Sequence, residues 1–243
     1  MIPDTNTTRL DDRIILITGA GDGIGKATAL ACADKGATII LLGRTVHKLE
    51  SVYDEIKQRN GPEPAIYPLN LEGASPDDYD DLKANIDKEF GRLDGLLNNA
   101  GWLGASTPIE IYNTELWYKV MQVNLNAPFL LTRACIPLLK KSSAARIVFT
   151  ADDKVSAYWG AYGAAKAGQL SLMHILADEL ESRNIPVNAV IPGPVRTRFR
   201  TMAFPAEDKR LLPRPDEISN TFVYLLSDEV KETGKVFDLM KDR

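Results

Sequence analysis

Cysteine and histidine are nearly missing from this chain, with two of each among 243 residues. Cys32 and Cys135 each lie in an apolar, helix-like neighbourhood, which points away from a disulfide framework or a zinc site and reads as packing. His47 and His174 stand alone, so the histidine chemistry of hydrolases and metal sites has little to work with, and no metal is expected. Positive charge is not in excess either. Lys and Arg number 29 against 33 Asp and Glu, a formal net charge of −4 with no dense basic run, so nucleic acid is not an expected partner. The apolar runs Ile14–Ile17 and Thr38–Leu42 are far too short to span a bilayer, and the start Met1–Arg13 is polar and acidic rather than signal-like. A cytoplasmic protein with no membrane partner is the expectation.

What is present is an alternation. Hydrophobic residues at 44% and charged residues at 26% are ordinary for a globular chain, and no linker divides it, so one domain over 1–243 is expected. Short apolar runs at Arg13–Thr18, Thr38–Leu42, Ala65–Asn70, Asp94–Asn98, Arg146–Thr150 and Val187–Ile191 read as strands, and Gly234–Leu239 fits a last one. Between them, segments of helical period cover Ile24–Lys35, Val46–Arg59, Pro76–Phe90, one long stretch from Thr114 to Lys140, and the stretch carrying Tyr162. Helices alternating with fully apolar strands imply crossovers and a parallel sheet buried on both faces. The expected fold is therefore α/β: a single Rossmann-like doubly wound domain, with a parallel seven-stranded sheet flanked by helices on both faces. The segment 196–215, rich in arginine, proline and aromatics, reads as a loop long enough to cover a site at the sheet's carboxyl edge.

The first strand ends in Thr18-Gly19-Ala20-Gly21-Asp22-Gly23-Ile24-Gly25, immediately before a helix. Glycines at such a turn let backbone amides approach a pyrophosphate at the helix N-terminus, with Ile24 packed beneath. The second strand ends in Leu42-Gly43-Arg44-Thr45, where an acidic residue would accept bonds from the ribose hydroxyls of NAD. Arg44 cannot accept them, but it can pair with a 2′-phosphate, and Thr45 adds a hydroxyl. NADP(H) is favoured on this ground and NAD(H) remains possible, because Asp22 sets a negative charge near where that phosphate would lie.

Tyr162 and Lys166, four residues apart in a helical segment, share one face. A lysine there favours the phenolate and is expected to lower the tyrosine's pKa, making a proton donor usable near neutral pH. With the glycine turn, Asn98-Asn99-Ala100-Gly101 after the fourth strand, and Tyr162-x-x-x-Lys166 in this order, the chain resembles the short-chain dehydrogenase/reductase family over nearly its whole length. The resemblance implies Asn98 at the floor of the adenosine site beside Ala100 and Gly101, and Asn70 with Leu71 near the adenine. It implies Pro192, Gly193, Val195 and Thr197 at the nicotinamide end. It also implies Asn124 in a proton relay, holding a water in line behind Lys166, and assembly as a homodimer or homotetramer. The implied reaction passes hydride between NADP(H) and a small-molecule carbonyl or secondary alcohol, with Tyr162 exchanging a proton with the oxygen.

The family's serine is where this chain departs from the pattern. After Arg146–Thr150 come Ala151, Asp152, Asp153 and Lys154, and the loop to Tyr162 is shortened. Three readings stand open: Thr150 or Ser156 supplies the hydroxyl, Asp152 occupies the position with altered chemistry, or catalysis is impaired and the chain is a dinucleotide-binding regulatory or scaffold protein. Trp102, Leu103, Tyr158, Trp159, Phe199, Met202 and Phe204 are candidates to line an apolar substrate pocket, and Arg196, Arg198 and Arg200 to meet an anionic group or to serve the loop.

Overall fold

Side chains along Ile14–Thr18 are all buried, and they part by alternation: Ile14 and Leu16 enter one core, Ile15 and Ile17 the other. Successive side chains of a strand point to opposite faces, so a strand this apolar needs cover on both sides. The computed structural model, which describes residue 5 and residues 7–241, supplies it. Residues 1–4, 6, 242 and 243 lie outside the described residues, and with them part of the Met1–Arg13 segment read from sequence.

The element order is β1 (Ile14–Thr18), α1 (Gly23–Asp34), β2 (Thr38–Gly43), α2 (Val46–Gln58), β3 (Ala65–Pro68), α3 (Pro76–Phe90), β4 (Gly95–Asn98), α4 (Thr114–Met121), α5 (Ala127–Leu139), β5 (Arg146–Thr150), α6 (Gly160–Glu181), β6 (Val187–Ile191), α7 (Arg198–Ala203), α8 (Pro215–Leu225) and β7 (Val236–Asp238). The strands form one seven-stranded sheet in the order β3-β2-β1-β4-β5-β6-β7, with every pairing parallel. Helices α3, α5 and α6 close one core; α1, α2 and α8 close the other. This is the doubly wound arrangement that the alternation implies. Its strand order reverses between β1 and β4, where the carboxyl ends of the strands open a crevice. Among the described residues no helix is long and apolar enough to cross a membrane.

Two segments differ from the sequence expectation. The stretch from Thr114 to Lys140 is not one regular helix: a π turn at Gln122–Asn126 separates α4 from α5. Such turns are rare and frequently mark functional positions. The segment 196–215 holds the short helix α7 and a 3-10 turn at Lys209–Leu211, and its last residue begins α8, which carries apolar Ile218, Phe222, Val223 and Leu225 inward. Pro215 at the first helical position and Glu217, whose Oε1 accepts from the Arg214 amide at 3.1 Å, are the start signals for that helix.

Candidate active site

The glycine turn folds as its sequence requires. Gly19 takes φ +66°, and a β-carbon at Gly25 would lie 2.3 Å from the Gly19 carbonyl oxygen, so α1 rests directly on the turn. Asp22 caps α1 by accepting from the Gly23 amide at 2.8 Å, and Lys48 Nζ donates to its other oxygen at 2.6 Å. Burial pushes the Asp22 carboxyl up, but Lys48, the Gly23 amide and the nearby Arg198 charge outweigh it and hold the group below the usual range. The negative charge that weighed against a 2′-phosphate is thus met by Lys48. Arg44 stands exposed at the rim, and no hydrogen bond or ion pair engages it among the described residues.

One cavity of about 610 Å³ runs from this turn to the Tyr162/Lys166 pair. Of the residues singled out from sequence, Gly19, Gly21, Asp22, Gly23, Ile24, Arg44, Thr45, Ala100, Gly101, Asp152, Tyr162, Lys166, Pro192, Gly193, Val195 and Thr197 line it. Gly25, Asn70, Leu71, Asn98 and Asn124 do not. Asn70 is exposed and its Oδ1 accepts from the Glu72 amide at 3.3 Å, while Leu71 is packed in the core. Asn98, expected at the floor of the adenosine site, is buried and donates to Thr132 Oγ1 at 3.0 Å. Its neighbour Asn99 lines the cavity instead. Asn99 Nδ2 donates to the Thr18 carbonyl at 3.0 Å and its Oδ1 accepts from Thr150 Oγ1 at 3.2 Å, which ties together the ends of β1, β4 and β5. Strand alternation accounts for the exchange, since adjacent residues at a strand end point to opposite sides.

Asp152 faces the tyrosine. Tyr162 Oη donates to Asp152 Oδ2 at 2.9 Å, whereas the Thr150 hydroxyl is engaged with Asn99 and Ser156 is exposed on the loop. Burial raises the Tyr162 phenol well above its ordinary pKa, and the Asp152 charge and hydrogen bond raise it further. That reverses the lowering expected from the Tyr/Lys spacing. Lys166 lies on the same face of α6, with its Nζ 6.0 Å from the phenol ring centroid, but it is itself buried and pulled down to about 8 by desolvation, against the pull of Asp152. Its ammonium donates to the Thr150 carbonyl at 2.6 Å and to Gln169 Oε1 at 3.0 Å.

Gln169 was not legible as a site residue. It is fully buried one turn beyond Lys166, and its Nε2 donates to the Asn124 carbonyl at 3.2 Å. The space in which the resemblance implied a water between Lys166 and Asn124 is therefore bridged by a side-chain amide. The Asn124 side chain pairs with the backbone of Trp102, donating to its carbonyl at 2.8 Å and accepting from its amide at 3.0 Å, which fixes the loop after β4.

The segment after β6 covers the tyrosine end. Thr197 caps α7 by accepting from the Arg200 amide at 3.1 Å, and its methyl would lie 3.2 Å from a β-carbon on Gly23, so the cover begins against the glycine turn. Phe199 packs on Tyr162 with ring centroids 5.2 Å apart, and Trp159 does so at 5.7 Å. Of the three arginines here, Arg200 makes a two-bond pair with Glu207 at 2.6 Å each, and Arg196 donates to the carbonyls of Arg210 and Leu212 at 3.3 Å. Both serve the segment itself, while Arg198 lines the cavity near Asp22.

Comparison with known proteins accords with this geometry. Residues 13–208 match the family model described as short chain dehydrogenase. The chain is 42% identical over 238 residues to the uncharacterized oxidoreductase YciK of Escherichia coli (strain K12), covering 96% of this chain and 94% of that protein. It is 32% identical over 248 residues to the 3-oxoacyl-acyl-carrier-protein reductase FabG of Thermotoga maritima, covering 95% and 97%. Among solved structures, a chain of Escherichia coli CFT073 described as a short chain dehydrogenase complexed with NADPH superimposes with a TM-score of 0.93 at 42% identity, covering 96% and 98%.

Proposed function

Because this chain belongs to the short-chain dehydrogenase family, we propose that it is an NADP(H)-dependent oxidoreductase acting on a small-molecule carbonyl or secondary alcohol. The observation that carries this reading is the single cavity that joins the glycine turn and the free Arg44 to the Tyr162 hydroxyl. The turn fits a dinucleotide: at Gly19, Gly23 and Gly25 a β-carbon would meet backbone or side chain within 3.2 Å, so only glycine lets the turn pack this closely at the α1 N-terminus, whose amides suit a pyrophosphate. Binding of NADPH by a relative 42% identical supports the choice of cofactor. When bound, the cofactor supplies the hydride.

In this reading Arg44 and Lys48 meet the 2′-phosphate, the α1 N-terminus meets the pyrophosphate, and Lys166 meets the ribose next to the nicotinamide. Tyr162 exchanges its proton with the substrate oxygen, and Asp152 stands where the family's serine stands. The segment 196–215 is the substrate cover, with Phe199 and Trp159 forming apolar walls. Exposed apolar residues on α4, α5 and α6, namely Tyr118, Phe129 and Ile175, support assembly as a homodimer or homotetramer.

The carboxylate against the tyrosine favours a second reading, a dinucleotide-binding protein with impaired turnover. A titration with NADPH, followed by NADPH oxidation assays over a panel of ketones and 3-oxo esters, separates the two. Turnover that disappears in Tyr162→Phe while NADPH binding persists supports the oxidoreductase. Tight binding with no turnover on any carbonyl supports the second reading instead.

A further inference from the structure

The proton that Tyr162 gives up must be replaced at every turnover, and two routes lead away from its hydroxyl. One runs behind it, through Lys166 towards Asn124. There Gln169, fully buried, accepts from Lys166 Nζ at 3.0 Å and donates to the Asn124 carbonyl at 3.2 Å. These partners fix the amide: an ammonium only donates and a carbonyl only accepts, so Oε1 must face the lysine and Nε2 the backbone. A hydroxyl or a water can accept one proton and release another. A carboxamide locked in this way cannot, so the route behind the lysine is closed.

The other route runs forward. Asp152 Oδ2 accepts the Tyr162 hydroxyl at 2.9 Å, and the Asp152 side chain lines the cavity with 20% of its surface exposed. Its other oxygen lies 3.9 Å from Lys154 Nζ, which pairs with Asp153 at 3.2 Å and is itself 30% exposed. The charged groups about Asp152 are thus Lys154 and Asp153 on its own loop and Lys166 on α6, while Arg200 on α7 is committed to Glu207.

We propose that Asp152 is a catalytic residue that carries the proton between solvent and the Tyr162 hydroxyl, and that Gln169 seals the alternative path behind Lys166. This rests on the oxidoreductase reading. In the reducing direction the carbonyl carbon receives hydride from the reduced nicotinamide, which is oxidised, and the carbonyl oxygen takes the proton of Tyr162. The Asp152 carboxylate then takes a proton from solvent and passes it to the phenolate, which leaves the hydroxyl and the carboxylate as they began. Each turnover consumes one hydride and one solvent proton, and Tyr162 and Asp152 return to their starting forms.

The test is chemical rescue of Asp152→Ala by formate, with NADPH affinity as the control for folding. Loss of one general acid–base group is expected to lower kcat by about 100-fold or more, and formate in the vacated space to restore at least about tenfold. Asp152→Asn, of the same shape, should lose as much and gain nothing from formate. Adding Gln169→Ala to Asp152→Asn should recover turnover by letting water in behind Lys166. Turnover of Asp152→Ala within about threefold of the parent, or a loss that neither formate nor Gln169→Ala relieves, overturns the proposal. An ultraviolet titration of the Tyr162 phenol, with Tyr162→Phe as blank, needs no substrate. The phenol should ionise at lower pH in Asp152→Ala and move back up with formate. A phenol that does not move overturns the proposal, even if the parent protein reduces no carbonyl and the oxidoreductase reading fails on its own.

Discussion

Gly163 follows Tyr162 on α6, and a β-carbon there would lie 2.2 Å from the backbone carbonyl oxygen of Lys154. The loop between β5 and α6 reaches its position only because that side chain is missing. In Gly163→Ala the backbone at Lys154 must retreat by roughly 1 Å to reach ordinary contact, since a packed interior has no slack to absorb the overlap. Lys154 is two residues from Asp152, whose bond to Tyr162 is 2.9 Å long, so a displacement of that size takes the pair beyond hydrogen-bonding range. Overpacking costs about 1–3 kcal/mol, and alanine gains about 1 kcal/mol over glycine in a helix, which leaves a net loss of about 0–2 kcal/mol. At about 2–4 °C per kcal/mol for a chain of this size, Tm should fall by no more than about 8 °C. The larger effect is electrostatic. With Asp152 withdrawn, the Tyr162 phenol loses the neighbour that raises its pKa beyond what burial does, so it should ionise at lower pH in an ultraviolet difference titration. A rise in Tm of about 2–4 °C, which is helix propensity alone, together with an unmoved phenol titration would refute the steric argument.

Two further outcomes follow from the charges lining the cavity. Arg44→Ala should weaken NADPH by about 10- to 150-fold, the worth of a charge-assisted hydrogen bond of about 1.5–3 kcal/mol, and leave NADH within about twofold. Fluorescence titration with both cofactors reads this, and an equal loss for the two would show that Arg44 does not face the 2′-phosphate. Lys166→Met should stabilise the ligand-free protein at pH 7. Folding brings this lysine down from 10.5 to about 8, so its burial cost is present in full below pH 8 and fades as pH rises towards 10.5. Urea melts of the two proteins should therefore converge across that window, while the variant gives no turnover. A stability gap independent of pH would mean that the ammonium is not what burial penalises.

The doubly wound fold was legible because its strands are apolar on both faces and its turns fall at glycine and proline. Alternation in Ile14–Ile17 alone dictates two cores. The cavity's phosphate end was legible for a related reason: glycine at Gly19 and Gly23 answers to backbone conformation, which leaves a mark in the sequence. The chemistry at Tyr162 was less so. Helical spacing brings Lys166 to its face, but its ionisation is governed by burial and by Asp152 from a different segment, neither of which spacing encodes. Asn98 and Asn99 are adjacent and chemically identical, and only the direction of the last residue of β4 separates their roles. Gln169 carried no signal, because a lone amide on an apolar helix face belongs to no pattern until its two partners are known. Nor could the expected helix from Thr114 to Lys140 reveal its π turn, since a slip of one residue barely disturbs an apolar stripe.

That turn makes regularity and competence pull in opposite directions. A chain one residue shorter between 122 and 126 would join α4 and α5 into a single even helix, with its backbone ladder unbroken. It would also swing Asn124 around the helix axis, taking the side chain from Trp102 and the carbonyl from Gln169. The tidier helix would release both the loop after β4 and the amide behind Lys166, so the apparent defect in the longest helical stretch is the part that an unaided preference for good helix geometry would remove first.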